Sequence, residues 1–340
     1  MPRTMSSPRI LIVRLSAIGD VIQSMPIACA LRRRFPDALV TWVVESRSAE
    51  LLQNHPALDE VLTVPRGWLK SPKTLWRLRR QLRERRFDIA LEAQGLTKAA
   101  LLARLSGAPR RLGFGPPWGR ELSPWLNTES VETPGPHVVQ RNLQLLRPLG
   151  IESPEVEFLV PERPEDARTA ERMVGEFQVE RGFALINVGA GWPSKLWSAD
   201  RYGAVAAHLG AVHQLPTLVL WAGADERAMA DRVVADSQGR ARLAPKTTLS
   251  ELAALARRAK LFLGSDTGPL HLAEAVGTPC VGLYGPWPKD IHGPYGPQHI
   301  AIQKAFFKGS TRERRTAPPT LMAAITTADV CEACDRILSR

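Results

Sequence analysis

Repeatedly in this chain a short apolar run of strand character ends abruptly in a turn of small and polar residues, and a helical pattern follows at once. RILIVRL (residues 9–15) runs into SAIGD, FALINV (183–188) into GAGWPSK, and LFLG (261–264) into SDTGPLH. Strands buried on both faces read as continuous apolar runs, and strands alternating with helices specify parallel α/β sheets. Around these anchors the first half predicts strands at 9–15, 39–45, 60–64 and 87–92, with helices at 21–34, 46–54, 73–86 and 96–105. The second half predicts strands at 183–188, 217–222, 260–263 and 280–283, with helices at 200–209, 225–236, 249–259 and 269–276.

A chain of 340 residues is too long for one such sheet, and about two domains are expected. The Pro- and acid-rich stretch 150–166 (GIESPEVEFLVPERPED) is the natural boundary. The expected layout is an N-terminal domain over 1–160 and a C-terminal domain over 161–320. A final helix within 323–338 returns from segment 321–340 to the first domain. Doubly wound domains bind ligands outside the carboxyl ends of their strands. No apolar run approaches the roughly 18 residues of a membrane span. The first such run, 10–13, ends at Arg14 and is too short for a signal peptide. Four cysteines make no disulfide framework, so a cytoplasmic protein is expected.

Charge divides the two halves. Residues 1–150 carry 23 of the 45 basic and 12 of the 34 acidic residues, so the whole excess of +11 lies there. Segment 66–86 alone holds Arg66, Lys70, Lys73, Arg77, Arg79, Arg80, Arg83, Arg85 and Arg86 against Glu84. A one-sided basic domain suits a polyanionic partner: nucleic acid, an anionic membrane surface or a phosphorylated glycolipid. A solvated helix face has the same composition.

Asp20 closes the first turn at a helix start, where a carboxylate either caps the helix or takes a proton from an attacking hydroxyl. Gly264-Ser265-Asp266-Thr267-Gly268-Pro269-Leu270-His271 lets backbone amides and a helix N-terminus approach a phosphate. Thr267 adds a hydroxyl and His271 sits one turn into the helix. Lys195 ends the GAGWPSK turn, suited to neutralise a diphosphate as a point charge. Asp225 and Glu226 open another helix, where either serves a ribose hydroxyl or the helix dipole. Lys98, after EAQGLT, and Arg120, in a Gly/Pro-rich loop, are candidates to meet an acceptor. No G-x-G-x-x-G follows the first strand and no Walker A motif occurs, which speaks against dinucleotide and ATP chemistry. Cys331 and Cys334 form a lone C-x-x-C, and no second ligand pair stands at zinc spacing.

RILIVRLSAIGDVIQSMP, DIALEAQGLTKAALLARLSG, INVGAGWPSKLWSADRYG and GSDTGPLHLAEAVGTPCVGLYGP, in this order, resemble the family 9 glycosyltransferases, in particular the ADP-heptose:lipopolysaccharide heptosyltransferases. The EAQGLTKAA segment resembles the heptosyltransferase I type more than the broader family. The resemblance spans roughly residues 8–300 and implies a GT-B fold, two Rossmann-like domains facing a central cleft. It implies an inverting transfer without metal or cofactor, from an ADP-sugar to the phosphorylated inner core of a glycolipid. In that reading Asp20 is the general base, and Lys195, Glu226, Asp266, Thr267, Gly268 and His271 hold the donor. Lys98 and Arg120, with the basic segment, meet the acceptor and an anionic membrane surface rather than nucleic acid. Gln23 and Arg14 depart from a frequent His and Lys, and segment 306–319 lies outside the resembling motifs. The alternatives are a nicotinamide-dependent oxidoreductase and a non-enzymatic nucleic-acid-binding module. Affinity for NAD would mark the first, steeply salt-dependent duplex binding the second.

Overall fold

A computed structural model describes residues 7–340, which divide into two units at Pro161/Glu162. The first unit holds β1 (Arg9–Val13), β2 (Leu39–Glu45), β3 (Glu60–Val64), β4 (Ile89–Glu92), β5 (Arg110–Phe114) and β6 (Glu129–Val131). They form one fully parallel sheet in the order β3-β2-β1-β4-β5-β6. The second holds β7 (Ala184–Asn187), β8 (Thr217–Leu220), β9 (Ala241–Leu243), β10 (Leu261–Ser265), β11 (Cys280–Leu283) and β12 (Ile300–Ile302). Their order, β12-β11-β10-β7-β8-β9, is again fully parallel. Each sheet is therefore a Rossmann-type sheet, and its order reverses between the first and fourth strands. The two crevices so defined lie beyond β1/β4 and beyond β7/β10.

The central strands carry the cores. Ile10, Leu11, Ile12 and Val13 are all inaccessible, as are Leu261, Phe262 and Leu263. In the first unit helix Pro72–Glu84 starts at Ser71, whose Oγ accepts the Thr74 N–H at 3.2 Å, and buries Leu78 and Leu82 one turn apart. That leaves its arginines on the outer face, as the charge pattern allows. In the second unit helix Leu249–Arg258 opens with a Thr248/Glu251 capping box and buries a stripe from Leu252 to Ala256.

The structure corrects several expectations. Four strands escape the sequence pattern: β5, β6, β9 and β12 are only three to five residues long, and β5 and β9 include arginines. The expected helix at 21–34 is two, Ile18–Ile22 and Met25–Arg34, broken at Gln23–Ser24 just before Pro26. Helices Val138–Gln144 and Pro164–Glu176 lie outside the elements that the sequence predicts. The final helix runs Thr327–Leu338, and its stripe Val330, Ala333, Cys334 and Ile337 is buried in the core of the second unit. Segment 306–319 contains helix Thr311–Arg315, from which the Arg315 guanidinium stacks 4.2 Å over the Trp192 ring.

Candidate active site

At the first crevice β1 delivers Asp20 on helix Ile18–Ile22, at its third position rather than at the cap. Asp20 Oδ2 accepts the Ala17 N–H at 3.0 Å, so the helix-end reading is half right. The other oxygen, Oδ1, pairs with Arg14 Nη2 at 2.8 Å, and the carboxylate is about one-third exposed (36%). Arg14 itself is buried and donates Nη1 to the Ala93 carbonyl. Arg141, from helix Val138–Gln144, is buried with its guanidinium 3.5 Å over the Trp118 ring. Burial, and secondarily the like charge of Arg14, lower the Arg141 pKa to about 10, while Asp20 works the other way. Arg14 Nε and Arg141 Nη1 find no hydrogen-bond partner among the described residues. Buried donors in that condition are costly unless a ligand engages them.

The β4 loop forms the other wall. Glu92 is fully buried, and its Oε1 accepts the N–H groups of Gln94 and Gly95 at 2.8 Å each. Its Oε2 accepts the Ser123 hydroxyl at 2.7 Å, and burial raises its pKa. Gly95 has φ +68°, and a Cβ there would lie 2.3 Å from the Trp118 carbonyl oxygen, so only glycine lets the two loops meet. Lys98 Nζ binds Glu45 Oε1 at 3.0 Å and Ser16 Oγ at 3.2 Å, which places it on the same crevice. Arg120 is exposed in the loop that closes on Gly95, its N–H donating to the Gly95 carbonyl at 3.0 Å.

At the second crevice the loops after β7, β8 and β10 converge. Lys195, in the 3₁₀ turn Pro193–Lys195, donates to Asp266 Oδ2 at 2.5 Å and to the Asp266 carbonyl at 3.1 Å. It also lies 4.2 Å from the centre of the Trp287 ring. His271 is buried between two acids, with Nε2 3.2 Å from Asp266 Oδ1 and Nδ1 2.9 Å from Glu274 Oε2. Burial opposes the charged forms of both Asp266 and His271. It is outweighed at Asp266 by Lys195 and His271, which hold the carboxyl well below its usual range. At His271, Asp266 and Glu274 push the pKa up to about 9. The result is a buried chain of alternating charge, Glu274–His271–Asp266–Lys195.

Thr267 caps helix Gly268–Ala275, whose second residue is Pro269, so Gly268 and Leu270 supply the first-turn amides that a helix cannot pair internally. Glu226 accepts the Ala222 N–H at 2.7 Å, and burial raises its pKa. Its carboxylate rests on Gly189: a Cβ at Gly189 would fall 2.3 Å from Glu226 Oε1. Of the two acids that open this helix, Glu226 is thus the one against the β7 loop, and Asp225 is exposed. Asp20, Lys98 and Arg120 thus lie beyond the strand ends of the first unit, and Lys195, Glu226, Asp266, Thr267, Gly268 and His271 beyond those of the second, whereas the arginines of helix Pro72–Glu84 face outward. The sequence pattern does not single out Arg14, Arg141 and Glu274 as site residues; only burial and partners distinguish them from ordinary charged positions.

Residues 75–320 match the sequence profile of glycosyltransferase family 9 (heptosyltransferase). The chain is 28% identical over 313 residues to lipopolysaccharide heptosyltransferase 1 of Pseudomonas aeruginosa, covering 88% of this chain and 84% of that one. It is 25% identical over 329 residues to lipopolysaccharide heptosyltransferase 3 of Escherichia coli, covering 94% and 96%. Among solved structures, a family 9 glycosyltransferase from Veillonella parvula superposes with a TM-score of 0.85 at 22% identity over 98% of this chain and 97% of that one. An Escherichia coli heptosyltransferase solved with ADP gives 0.77 at 23% identity over 97% and 99%. At these identities the structural matches speak for the fold.

Proposed function

The chain belongs to glycosyltransferase family 9, and from that membership and the two crevices we propose that it transfers a heptose from ADP-heptose to the phosphorylated inner core of a lipopolysaccharide-type glycolipid. The observation that carries the reading is the second crevice: a buried Lys195–Asp266–His271 chain beside first-turn amides, a site built for a diphosphate and its sugar. The relatives that resemble this chain over most of its length are lipopolysaccharide heptosyltransferases, and one solved structure of similar fold holds ADP.

In the proposed reaction Asp20 accepts the proton of an acceptor hydroxyl as its oxygen attacks the anomeric carbon of the donor. The bond to the diphosphate breaks on the opposite face, which inverts the anomeric configuration. Arg14 fixes the orientation of the Asp20 carboxylate. Charge gathering on the departing ADP meets Lys195 and the amides of Gly268 and Leu270, groups already in place before the reaction. Glu226 is the ribose ligand, and Asp266 and Thr267 orient the sugar. Asp266 Oδ1 accepts from His271 and Oδ2 from Lys195, so its charge is balanced by the protein's own cations, and the proposed transfer runs without metal.

The acceptor's anionic groups suit the first crevice, where Arg14 and Arg141 hold buried donors, with Lys98 and Arg120 nearby in the same unit. The exposed face of helix Pro72–Glu84 presents Arg79, Arg80 and Arg83 beside Trp76, which is 61% exposed. A cationic face with an amphipathic ring suits peripheral contact with an anionic membrane. No helix among the described residues is long and apolar enough to cross one.

The test is a transfer assay with ADP-heptose and a deacylated, phosphorylated inner-core acceptor, run in chelator, with the product's anomeric configuration read by NMR. Inverted product formed at an undiminished rate in chelator is expected. Retained configuration, or no transfer from ADP-heptose while NAD binds, would overturn the reading.

A further inference from the structure

Away from both crevices, three side chains converge where the terminal helix Thr327–Leu338 lies along helix Ala199–Val212. His208 Nε2 is 2.8 Å and His213 Nε2 2.6 Å from the same oxygen, Asp335 Oδ1. The three candidate ligand atoms all lie within 4.8 Å of one another. His208 sits one turn before the end of its helix and His213 caps it, so the two rings meet edge to face with centroids 6.1 Å apart. The buried stripe of the terminal helix fixes its rotation and turns Asp335 toward them. The cluster remains open to solvent, the side chains being 26%, 24% and 41% exposed.

We propose that His208, His213 and Asp335 bind one divalent first-row transition ion of the zinc type, tying the terminal helix to the body of the second unit. Two imidazole nitrogens and one carboxylate oxygen are a borderline donor set that suits zinc and leaves a fourth position to water. Tetrahedral bonds of about 2.0–2.1 Å put ligand atoms roughly 3.3 Å apart. The carboxylate therefore backs away by about half an ångström on binding, a small rotation for a side chain this exposed. Magnesium, which demands oxygen ligands in an octahedron, does not suit the set. Binding releases whatever protons the Nε2 atoms carry and changes no oxidation state. The competing account is a plain hydrogen-bonded clasp, in which both imidazoles donate N–H to the carboxylate and no ion enters.

The test uses the untagged full chain, stripped with chelator and titrated with ZnCl₂ by calorimetry, with CoCl₂ as an optical probe. One equivalent is expected to bind at micromolar Kd or tighter and to give cobalt a tetrahedral visible band. At 100 times Kd it should raise Tm by about 5 °C or more. His213→Ala and Asp335→Asn should each weaken binding at least tenfold, and Asp335→Asn keeps the side chain's shape. ADP affinity should be the same in the stripped protein, which separates this site from the transfer reaction. Absence of saturable binding, or equal binding in both variants, overturns the proposal. So does loss on Cys331→Ser with none on His213→Ala.

Discussion

Raising pH should weaken the second unit through a single buried imidazole. His271 donates to Asp266 at 3.2 Å and to Glu274 at 2.9 Å, which requires a proton on both ring nitrogens. A neutral imidazole satisfies one carboxylate and turns a lone pair toward the other in a site that excludes water. The folded pKa is pushed up to about 9 from an ordinary 6.5. A raised basic pKa stabilises the fold fully below 6.5, and that contribution fades as pH climbs through about 9. At 1.36 kcal/mol per unit the shift corresponds to roughly 3 kcal/mol. Urea unfolding of the second unit, followed from pH 6 to 10, should show wild type losing about that much relative to His271→Gln. The variant serves as the reference because Lys, Tyr and Cys titrations are common to both proteins. Imidazole ¹⁵N shifts on wild type read the proton directly, whether or not the variant folds. A neutral His271 at pH 7, or a wild-type-to-variant difference flat across the range, would refute the reasoning.

Three further outcomes follow from the same geometry. Lys195→Ala leaves Asp266 with His271 alone and removes the diphosphate's cation, so ADP affinity by calorimetry should fall about 100-fold and the second unit lose about 3 kcal/mol; unchanged affinity would place the diphosphate elsewhere. Gly189→Ala puts a methyl where the Glu226 carboxylate lies, and ADP should bind about tenfold more weakly while the stability of the ligand-free protein barely moves; full affinity would exclude Glu226 as a ribose ligand. Trp76→Ala combined with Arg79→Glu and Arg80→Glu should abolish co-sedimentation with phosphatidylserine-containing vesicles, since each basic residue near such a surface contributes about 1 kcal/mol; binding that survives would move the membrane contact off this helix.

How far the sequence reaches depends on how each feature is built. Both Rossmann-type sheets are legible because β1, β7 and β10 are continuous apolar runs, each followed by small residues and a helix. The outer strands are not: Arg110–Phe114 and Ala241–Leu243 are short and carry arginine, so their strand character comes from pairing with a neighbour. The same division holds at the site. Lys195 and Thr267 stand in turns rich in small and polar residues, and Asp20 in the first turn of the helix that follows one. Arg141 and Glu274 stand on helices, at positions where a charged residue is ordinarily solvated, and only tertiary packing buries them. Lys195 and Asp266 read separately as a diphosphate ligand and a sugar ligand, 71 positions apart, and nothing local announces that they form one ion pair. The terminal helix follows the same rule: its apolar stripe is legible, but the residues that cover it are supplied by tertiary packing.

The most direct test of the proposed chemistry is turnover of Asp20→Asn with ADP-heptose and an inner-core acceptor, alongside its ADP affinity. The amide keeps the shape and still accepts the Ala17 N–H, but it cannot take the acceptor's proton. ADP affinity within about twofold of wild type and a kcat reduced by about 10³ or more are expected, the general-base contribution plus the disturbed pairing with Arg14. Turnover by the Asp20→Asn enzyme within about tenfold of wild type would contradict the assignment of Asp20 as the base.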